Sequence, residues 1–255
     1  MRPYGIVSIL FLLALIVLDL LYFSGAVEWW WIVVCIVVYV HALVLGAIFI
    51  QWNFYTKSYN QGKNKQLIAL TFDDGPASET ARILDVLKVQ HVQAAFFSIG
   101  KRAQGDIEMV KRWDAEGHIV GNHSFNHGFN FDWLPTSKMA AEIKVTNDVI
   151  KGAIGKTPKL FRPPYGVTNP NLARAIRRTD MYSIGWNVRS FDTKAKDPKA
   201  LLDSILTKLR GGDIILLHDS MSITTDILTD LIVQARQKGY TFAPLDKLLD
   251  IAPYE

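Results

Sequence analysis

The sequence is nearly free of cysteine, with Cys35 as the only one in 255 residues. A lone cysteine excludes both an internal disulfide and a multi-cysteine zinc site. Any metal must therefore be held by histidine or carboxylate side chains. Disorder is excluded as well, because 49% of the residues are hydrophobic and only 20% are charged.

Charge is scarce in the first part of the chain. Residues 1–55 carry only Arg2, Asp19 and Glu28, whereas the remaining 200 residues carry 27 basic and 22 acidic side chains. The first part is therefore typical of a membrane segment, and the second is long enough to bury one substantial core. The net charge of +5 in the second part is small and scattered, so nucleic acid is not an expected partner.

Two long apolar stretches, about residues 5–22 and 29–52, predict a transmembrane hairpin over residues 1–55 with the lipid bilayer as its partner. At a rise of about 1.5 Å per residue, each stretch covers roughly the 30 Å hydrocarbon core as a helix. We expect interfacial anchors at the two ends of the second stretch, namely Trp29, Trp30 and Trp31, and Trp52, Phe54 and Tyr55. A cleaved signal peptide stays open, because Ser24-Gly25-Ala26 resembles a small-residue cleavage site.

The flanking charges predict an orientation for this hairpin. Arg2, Lys57, Lys63 and Lys65 flank its outer ends, whereas the short link between the two stretches carries only Glu28. The positive-inside rule then places both termini, and the soluble domain, on the cytoplasmic side of a bacterial-type inner membrane. An extracytoplasmic domain stays open, since large domains can cross a membrane regardless of a few charges.

After an expected linker at residues 56–65, apolar runs alternate with helical patterns. We predict strands at residues 67–72, 94–99, 119–122, 181–186, 214–218 and 240–242, with a weaker one at 160–161. Helices are predicted around residues 77–90, 104–116, 137–154, 170–178, 198–210 and 223–238. This alternation predicts an α/β domain with mostly parallel strands, in which chemistry lies at the carboxyl ends of the strands.

The two strongest candidate motifs each follow a predicted strand. Thr-Phe-Asp-Asp-Gly-Pro places Asp73 and Asp74 where one carboxylate can face a metal and the other a water, although a solvated turn would also explain this motif alone. His123 and His127 are spaced i, i+4, which one helical turn would bring onto a common face. Two histidines and one carboxylate suit a catalytic divalent metal such as zinc or cobalt.

Three further strand ends carry polar groups. Arg162 begins the stretch Arg-Pro-Pro-Tyr-Gly, Asp192 lies in the loop after Trp186, and His218 ends an apolar strand. His118 precedes a predicted strand, so we expect it to be structural. The coincidence of polar groups at successive strand ends favours a single site over separate structural roles.

These motifs resemble the polysaccharide deacetylases, known as carbohydrate esterase family 4 or the NodB homology domain. The resemblance covers roughly residues 66–250 and includes, besides the motifs above, Ala95-Phe96-Phe97, Gly121-Asn122-His123-Ser124 and Leu216-Leu217-His218. It implies a distorted (β/α) barrel, usually with fewer than eight strands, as a catalytic domain over residues 66–255. It also implies metal-dependent removal of an acyl group from an amino sugar.

The resemblance assigns a role to each matching position. It makes Asp73 the general base, His218 the general acid, and the backbone N–H of Tyr165 a donor to the oxyanion. Arg162 would orient Asp73, and Asp192 would orient His218. Its metal ligands are Asp74, His123 and His127, and its expected pocket residues are Pro163, Pro164, Trp186, Leu216 and Leu217. Zinc is the metal that ligand type and family habit favour, with cobalt, nickel or manganese as alternatives.

The sequence departs from the family pattern at one position that bears on the substrate. Thr193 stands where many members place a tryptophan that lines the sugar groove, which puts polymer binding in doubt, although Phe191 is a candidate replacement. The expected substrate is an N-acetylated amino sugar in a polysaccharide, in peptidoglycan or in a polyprenol-linked saccharide. An O-acetyl glycan esterase and a catalytically inactive glycan-binding protein stay open as alternatives.

Overall fold

The computed structural model describes residues 2–255 as two N-terminal helices followed by a parallel α/β domain. The strands are β1 (Ser58–Tyr59), β2 (Leu67–Asp73), β3 (Ala95–Ser98), β4 (Ile119–Asn122), β5 (Leu160–Phe161), β6 (Tyr182–Ile184), β7 (Val188–Arg189), β8 (Ile214–His218) and β9 (Thr241–Phe242). The helices are α1 (Pro3–Phe23), α2 (Trp30–Ile48), α3 (Thr80–Val89), α4 (Gly100–Gly105), α5 (Ile107–Ala115), α6 (Thr136–Ile154), α7 (Pro170–Arg178), α8 (Pro198–Lys208), α9 (Ser222–Gln237) and α10 (Leu245–Leu249).

One parallel sheet organises the domain. Its strand order is β1-β6-β5-β4-β3-β2-β8-β7, and β9 pairs separately with β2. Every named strand pair is parallel, as helical crossovers between successive strands require. Within residues 2–255 no pairing joins β1 to β7, so the barrel stays open along that side. The predicted distorted barrel is confirmed.

The core lies on both faces of this sheet. Along β8, Ile215 and Leu217 pack in the layer between the sheet and the outer helices, whereas Ile214 and Leu216 pack inside the barrel. This alternation follows from the two-residue period of a strand. Because the strands are parallel and buried on both faces, their carboxyl ends meet at one rim of the barrel.

The predicted helix boundaries follow from local capping. Asn169 accepts a hydrogen bond from Leu172 N, and Asp197 accepts from Lys199 N and Ala200 N, each just before a proline that opens α7 or α8. Gly155 ends α6 in the left-handed conformation. The structure adds elements that the pattern does not predict, namely β1, β7, α4 and α10. All four are six residues or shorter, which is too short to show a hydrophobic period.

The stretch expected as a linker contains one of these additions. Ser58 and Tyr59 form β1 and pair with Ser183 and Ile184 of β6. Inside this pairing the hydroxyls of Ser58 and Ser183 are hydrogen-bonded at 2.8 Å. Residues 56–65 therefore include a strand of the sheet and are not a linker without secondary structure.

The two N-terminal helices are long and apolar enough to cross a membrane, and they pack against each other as a hairpin. The Phe11 and Tyr39 rings stack with their centroids 3.9 Å apart, and the Ser8 and Tyr39 hydroxyls lie 3.0 Å apart. The second helix ends at Ile48, earlier than the sequence predicts, and residues 50–52 form a short 3-10 turn.

The hairpin is docked onto the α/β domain at the junction that follows α2. Phe54 and Tyr55 are buried there and pack with Tyr4 of α1 and Ala173 of α7. Across the same junction the backbone N–H of Thr168 donates to the carbonyl of Ala47, in the last turn of α2. The prediction that Phe54 and Tyr55 are interfacial anchors is wrong, because residues of α1 and α2, together with Ala173 of α7, cover both rings.

Candidate active site

The adjacent carboxylates point in different directions at the carboxyl end of β2. Asp73 is the last residue of this strand, and Asp74 follows with a φ of 78°, in the left-handed region that a residue with a side chain rarely adopts. The turn separates the two side chains. Asp73 meets Arg162, and its Oδ2 lies 3.8 Å from His123 Nε2, whereas Asp74 lies between the two histidines of the second motif.

The two histidines come together through a loop. The prediction of a helical turn is wrong here, because residues 123–127 are non-helical and Ser124 and His127 have φ values of 64° and 49°. The Ser124 hydroxyl accepts a hydrogen bond from the backbone N–H of His127, which tightens the loop. The ring centroids of His123 and His127 lie 4.7 Å apart.

A glutamate on α6 fixes this loop from behind. Glu142 accepts hydrogen bonds from the backbone N–H groups of Phe125 and Asn126 at 2.9 and 2.8 Å. Its other carboxylate oxygen accepts from the Asn126 amide. The loop that carries both histidines is thus hydrogen-bonded along its length, and the positions of the two rings are set before any ligand arrives.

The donor set of Asp74, His123 and His127 fits a divalent metal. Asp74 Oδ1 lies 3.6 Å from Nε2 of each histidine, and the three ligand atoms lie within 4.8 Å of one another. Asp74 Oδ1 is buried and makes no hydrogen bond within residues 2–255, as expected of an atom reserved for a ligand. His123 Nδ1 contacts the carbonyl of Arg162 at 2.7 Å, which directs Nε2 toward Asp74.

The electrostatics of His127 agree with this role. Burial, reinforced by the nearby imidazole of His123, lowers the pKa of His127 to about 4. A histidine binds a metal in its neutral form, so this ring is ready to coordinate at neutral pH.

Arg162 is fully buried and holds Asp73 by a hydrogen bond. Its guanidinium donates from Nη1 to Asp73 Oδ1 at 2.7 Å and to Thr71 Oγ1 at 2.8 Å. Nη2 donates to the carbonyl of Gly185, and the guanidinium lies 4.1 Å from the centre of the Phe97 ring. Burial lowers the pKa of Arg162, and the carboxylate of Asp73 compensates for the buried charge. Asp73 Oδ2 is left free to act.

His218 is coupled to Asp192 at the end of β8. Its Nδ1 lies 2.7 Å from Asp192 Oδ1, while its backbone N–H and the Thr224 hydroxyl both donate to Asp192 Oδ2. Burial opposes the charged imidazole, but the hydrogen bond and the negative charge of Asp192 outweigh it and raise the pKa of His218 to about 8. At neutral pH this ring therefore carries a proton that its Nε2 can donate.

A cavity of about 220 Å³ brings these groups together. Of the residues singled out from the sequence, it is lined by Asp73, Asp74, His123, His127, Pro163, Tyr165, Trp186, Thr193, Leu216 and His218. Arg162 and Asp192 lie directly behind Asp73 and His218. Pro164 and Leu217 are buried outside the lining, because Leu217 faces the outer helices.

His118 lies away from the cavity, whereas Tyr165 forms part of its wall. His118 lies before β4 and accepts a hydrogen bond from Ala94 N, so it serves the fold. Tyr165 adopts a left-handed conformation with a φ of 57°, and its hydroxyl donates to the carbonyl of His127 at 3.3 Å. The following Gly166 is required for close packing, because a Cβ there would lie 2.3 Å from the Trp186 ring.

Four residues at the site are missed by reasoning from the sequence. Thr71 and Thr224 orient Arg162 and Asp192, and Arg189 lines the cavity while lying over the Phe191 ring at 5.0 Å. Asp219 is fully buried, where burial raises its pKa to about 7, and its backbone N–H donates to the carbonyl of Asp73. Asp219 had a visible signal as an acidic residue directly after a strand-end histidine, and Thr71 lies inside the Thr-Phe-Asp-Asp-Gly-Pro motif, where the sequence assigns it no role.

Comparison with known proteins identifies relatives that match about three quarters of this chain. Residues 60–184 match the family model described as polysaccharide deacetylase. A peptidoglycan-N-acetylglucosamine deacetylase of Bacillus cereus is 32% identical over 199 residues, which are 76% of this chain and 72% of the relative.

Two solved structures share the architecture. The Bc1960 peptidoglycan N-acetylglucosamine deacetylase superposes with a TM-score of 0.74 at 30% identity, covering 77% of this chain and 94% of that one. BA3943 of Bacillus anthracis, described as a pseudoenzyme of carbohydrate esterase family 4, superposes with a TM-score of 0.71 at 28% identity over 76% of this chain and 70% of that one. The fold is therefore shared by active and inactive relatives. Whether a member of this fold is an enzyme depends on the side chains at the strand ends.

Proposed function

This chain belongs to the polysaccharide deacetylase family, and we propose that it is a membrane-anchored, metal-dependent hydrolase that removes the N-acetyl group from an amino sugar and releases acetate. The observation that carries the proposal is the grouping of Asp74, His123 and His127 beside Asp73 and His218 around one cavity. Similar proteins are peptidoglycan N-acetylglucosamine deacetylases, and their substrate, an N-acetylated amino sugar, fits this chemistry.

The protein residues divide the work of amide hydrolysis. Asp73, with Oδ1 held by Arg162, takes a proton from the attacking water through its free Oδ2. The oxygen of that water bonds to the acyl carbon, and the backbone N–H of Tyr165 stabilises the negative charge that develops on the carbonyl oxygen. A divalent ion on Asp74, His123 and His127 would supply polarisation of the carbonyl and acidification of the water.

His218 completes the reaction at the nitrogen. An amine is a poor leaving group unless it is protonated, so the carbon–nitrogen bond breaks as His218 gives its proton to the nitrogen. The products are acetate and a free amino sugar. Leu216 and Trp186 are the apolar residues of the cavity that can surround the acyl methyl.

The packing of the hairpin supports a permanent two-span anchor over a cleaved signal. The backbone N–H of Tyr4 donates to the carbonyl of Phe54, and the Tyr4 ring packs on Tyr55 with centroids 5.0 Å apart. Removal of α1 would take away these contacts and expose the buried junction. Arg2 and Lys57 flank the outer ends of the hairpin, and by the positive-inside rule these charges favour a cytoplasmic domain.

The experiment that tests the activity is acetate release from an N-acetylated chito-oligosaccharide by the full chain in detergent, with added zinc, cobalt, nickel or manganese. We expect metal-dependent release that is lost in Asp73→Asn, while that variant still binds metal. Parallel assays on an O-acetylated glycan separate amide from ester hydrolysis. If the wild-type chain binds glycan but releases no acetate from either substrate with any of these ions, the protein is a glycan-binding relative and the proposal fails.

A further inference from the structure

An apolar groove separates the end of α2 from the α/β domain. It has a volume of about 590 Å³. Its apolar lining is contributed by Val44, Ala47 and Ile48 of α2 together with Trp133, Val167 and Pro170 of the domain. Since α2 is apolar enough to cross a membrane, the groove begins within the last turn of a membrane-spanning helix. In the proposed two-span anchor, the α2 side of the groove would therefore lie where this helix leaves the hydrocarbon region of the bilayer.

The loop over residues 128–134 forms the outer wall of the groove and presents two aromatic side chains to the surroundings. Phe131 is buried and the Asn169 amide donates to the carbonyl of Asp132 at 2.7 Å, so the loop is firmly attached to the start of α7. Phe129 and Trp133 are nevertheless each 88% exposed. Large exposed aromatic residues beside the end of a membrane-spanning helix are typical of the membrane–water interface.

The polar part of the groove suits the same position. Asp132, Asn169 and Asn171 are its remaining lining residues, and they come from the domain side. The apolar part of the wall thus includes the membrane helix, whereas the polar part belongs to the domain. A lipid, with a hydrocarbon chain and a polar head, has this distribution of polarity.

The groove and the candidate active site share one wall. Val167 lines the groove, whereas Tyr165 and Gly166, in the same short segment, line the active-site cavity. The loop that carries Trp133 begins directly after His127, a candidate metal ligand, and Tyr165 is hydrogen-bonded to the carbonyl of His127. A molecule with its chain in the groove would therefore hold its polar head close to the cavity.

From this arrangement we infer that the substrate is a lipid-linked amino sugar whose hydrocarbon chain lies in the groove between α2 and the 128–134 loop. The inference rests on the proposed deacetylase function and narrows its substrate class. The hydrocarbon chain gains little free energy by moving from bilayer to groove, because lipid is as apolar as the groove. Binding of the hydrocarbon chain in the groove instead positions the sugar at the cavity and raises the local concentration of the sugar there.

A substitution that fills the groove tests the inference. Val44→Trp places a large ring in the groove, and Val40→Trp places the same ring one helical turn away at an equally exposed position outside it. Each variant is assayed in bilayer nanodiscs with an N-acetylglucosaminyl diphosphate on a long isoprenoid chain, and with a water-soluble chito-oligosaccharide. We expect Val44→Trp to raise KM for the lipid-linked sugar by about tenfold or more, with kcat and the soluble reaction unchanged. Val40→Trp should change neither.

Direct occupancy is measured separately from turnover. An isoprenoid diphosphate sugar with a photoreactive group on its chain should crosslink to peptides that contain Val44 or Trp133, and Val44→Trp should remove this crosslink. Equal kcat/KM of the wild-type chain for the lipid-linked and soluble sugars, or crosslinking unchanged by Val44→Trp, would overturn the inference and leave the deacetylase proposal standing. Absence of acetate release from both substrates would instead refute the deacetylase proposal itself.

Discussion

Asp73 and His218 are register partners on the adjacent parallel strands β2 and β8, so the candidate base and the candidate acid occupy neighbouring strand ends. Each forms an ion pair with a second side chain. Arg162 pairs with Asp73, and Asp192 pairs with His218. The parallel sheet thus places a proton acceptor and a proton donor on two sides of one small cavity. The same rim carries the three side chains that fit a metal.

Asp73→Asn tests the base. Asparagine keeps the shape of the side chain but cannot take the proton of the attacking water, so we expect acetate release to fall by at least about 100-fold. Metal binding, measured by calorimetry, should persist because Asp73 is outside the candidate ligand set. Asp85→Asn, an exposed carboxylate on α3, is the matched control and should leave activity unchanged. Activity retained in Asp73→Asn would exclude Asp73 as the base.

The pH dependence tests the acid. With a pKa of about 8, His218 should be protonated at neutral pH, and kcat should fall as the pH rises through about 8. Asp192→Asn removes the negative charge that raises this pKa, so the alkaline limb should move to lower pH by about one unit. Thr225→Val is the control. It removes a hydroxyl on α9 that is hydrogen-bonded to Glu79 and not to Asp192, so the alkaline limb should stay where it is in the wild type.

The same ion pair contributes to stability in a defined pH range. The folded-state pKa of His218 lies above the unfolded value of about 6.5, so its stabilising effect is fully present below about pH 6.5 and is lost as the pH rises through about 8. Urea unfolding of wild type and His218→Gln across this range measures the effect. The difference between the two proteins should shrink as the pH increases, and a constant difference would contradict the pairing.

Arg162→Met tests the buried ion pair with Asp73. Removal of the guanidinium leaves the carboxylate buried without its partner, which we expect to destabilise the domain by about 3–5 kcal/mol. The double variant Arg162→Met/Asp73→Asn removes the unpaired charge and should recover part of that loss. Denaturant unfolding measures both, and Arg82→Met, at an exposed ion pair, should cost less than about 1 kcal/mol.

His123→Ala and His127→Ala test the metal centre. Each variant removes one of three ligands and should lower metal stoichiometry and thermal stabilisation by added metal, in addition to activity. A chelator should inactivate the wild-type chain, and added metal should restore it. His91→Ala, a histidine outside this cluster, is the control. Full metal binding in both His123→Ala and His127→Ala would exclude the assigned ligand set.

The junction between hairpin and domain can be tested at Gly46. A Cβ at this position would lie 2.3 Å from the Phe54 ring, so Gly46→Leu should displace the ring and loosen the docked domain. We expect faster proteolysis of residues 50–65 in the variant. Val38→Leu, on the exposed face of α2, is the control and should leave the rate of proteolysis unchanged. Gly25→Leu would not serve, because Gly25 has a positive φ.

The sequence by itself determined the apolar hairpin, the alternation of strands and helices, and which residues form the candidate site. These features are local or periodic. Capping pairs such as Asn169-Pro170 define helix starts, and the motifs around Asp73, His123 and His218 each lie in a few consecutive residues after a strand. Their meeting at one rim follows from parallel strands, which the alternation predicts.

Only the tertiary structure decided how distant segments meet. The burial of Phe54 and Tyr55, the loop that joins His123 to His127, and the separation of Leu216 from Leu217 depend on packing across the fold. Thr224 carries no signal in the sequence, because a hydroxyl that orients a buried charge looks like any other hydroxyl in a helix. The groove beside α2 forms where the hairpin docks on α7 and the 128–134 loop, since contacts between segments more than 80 residues apart leave no local pattern.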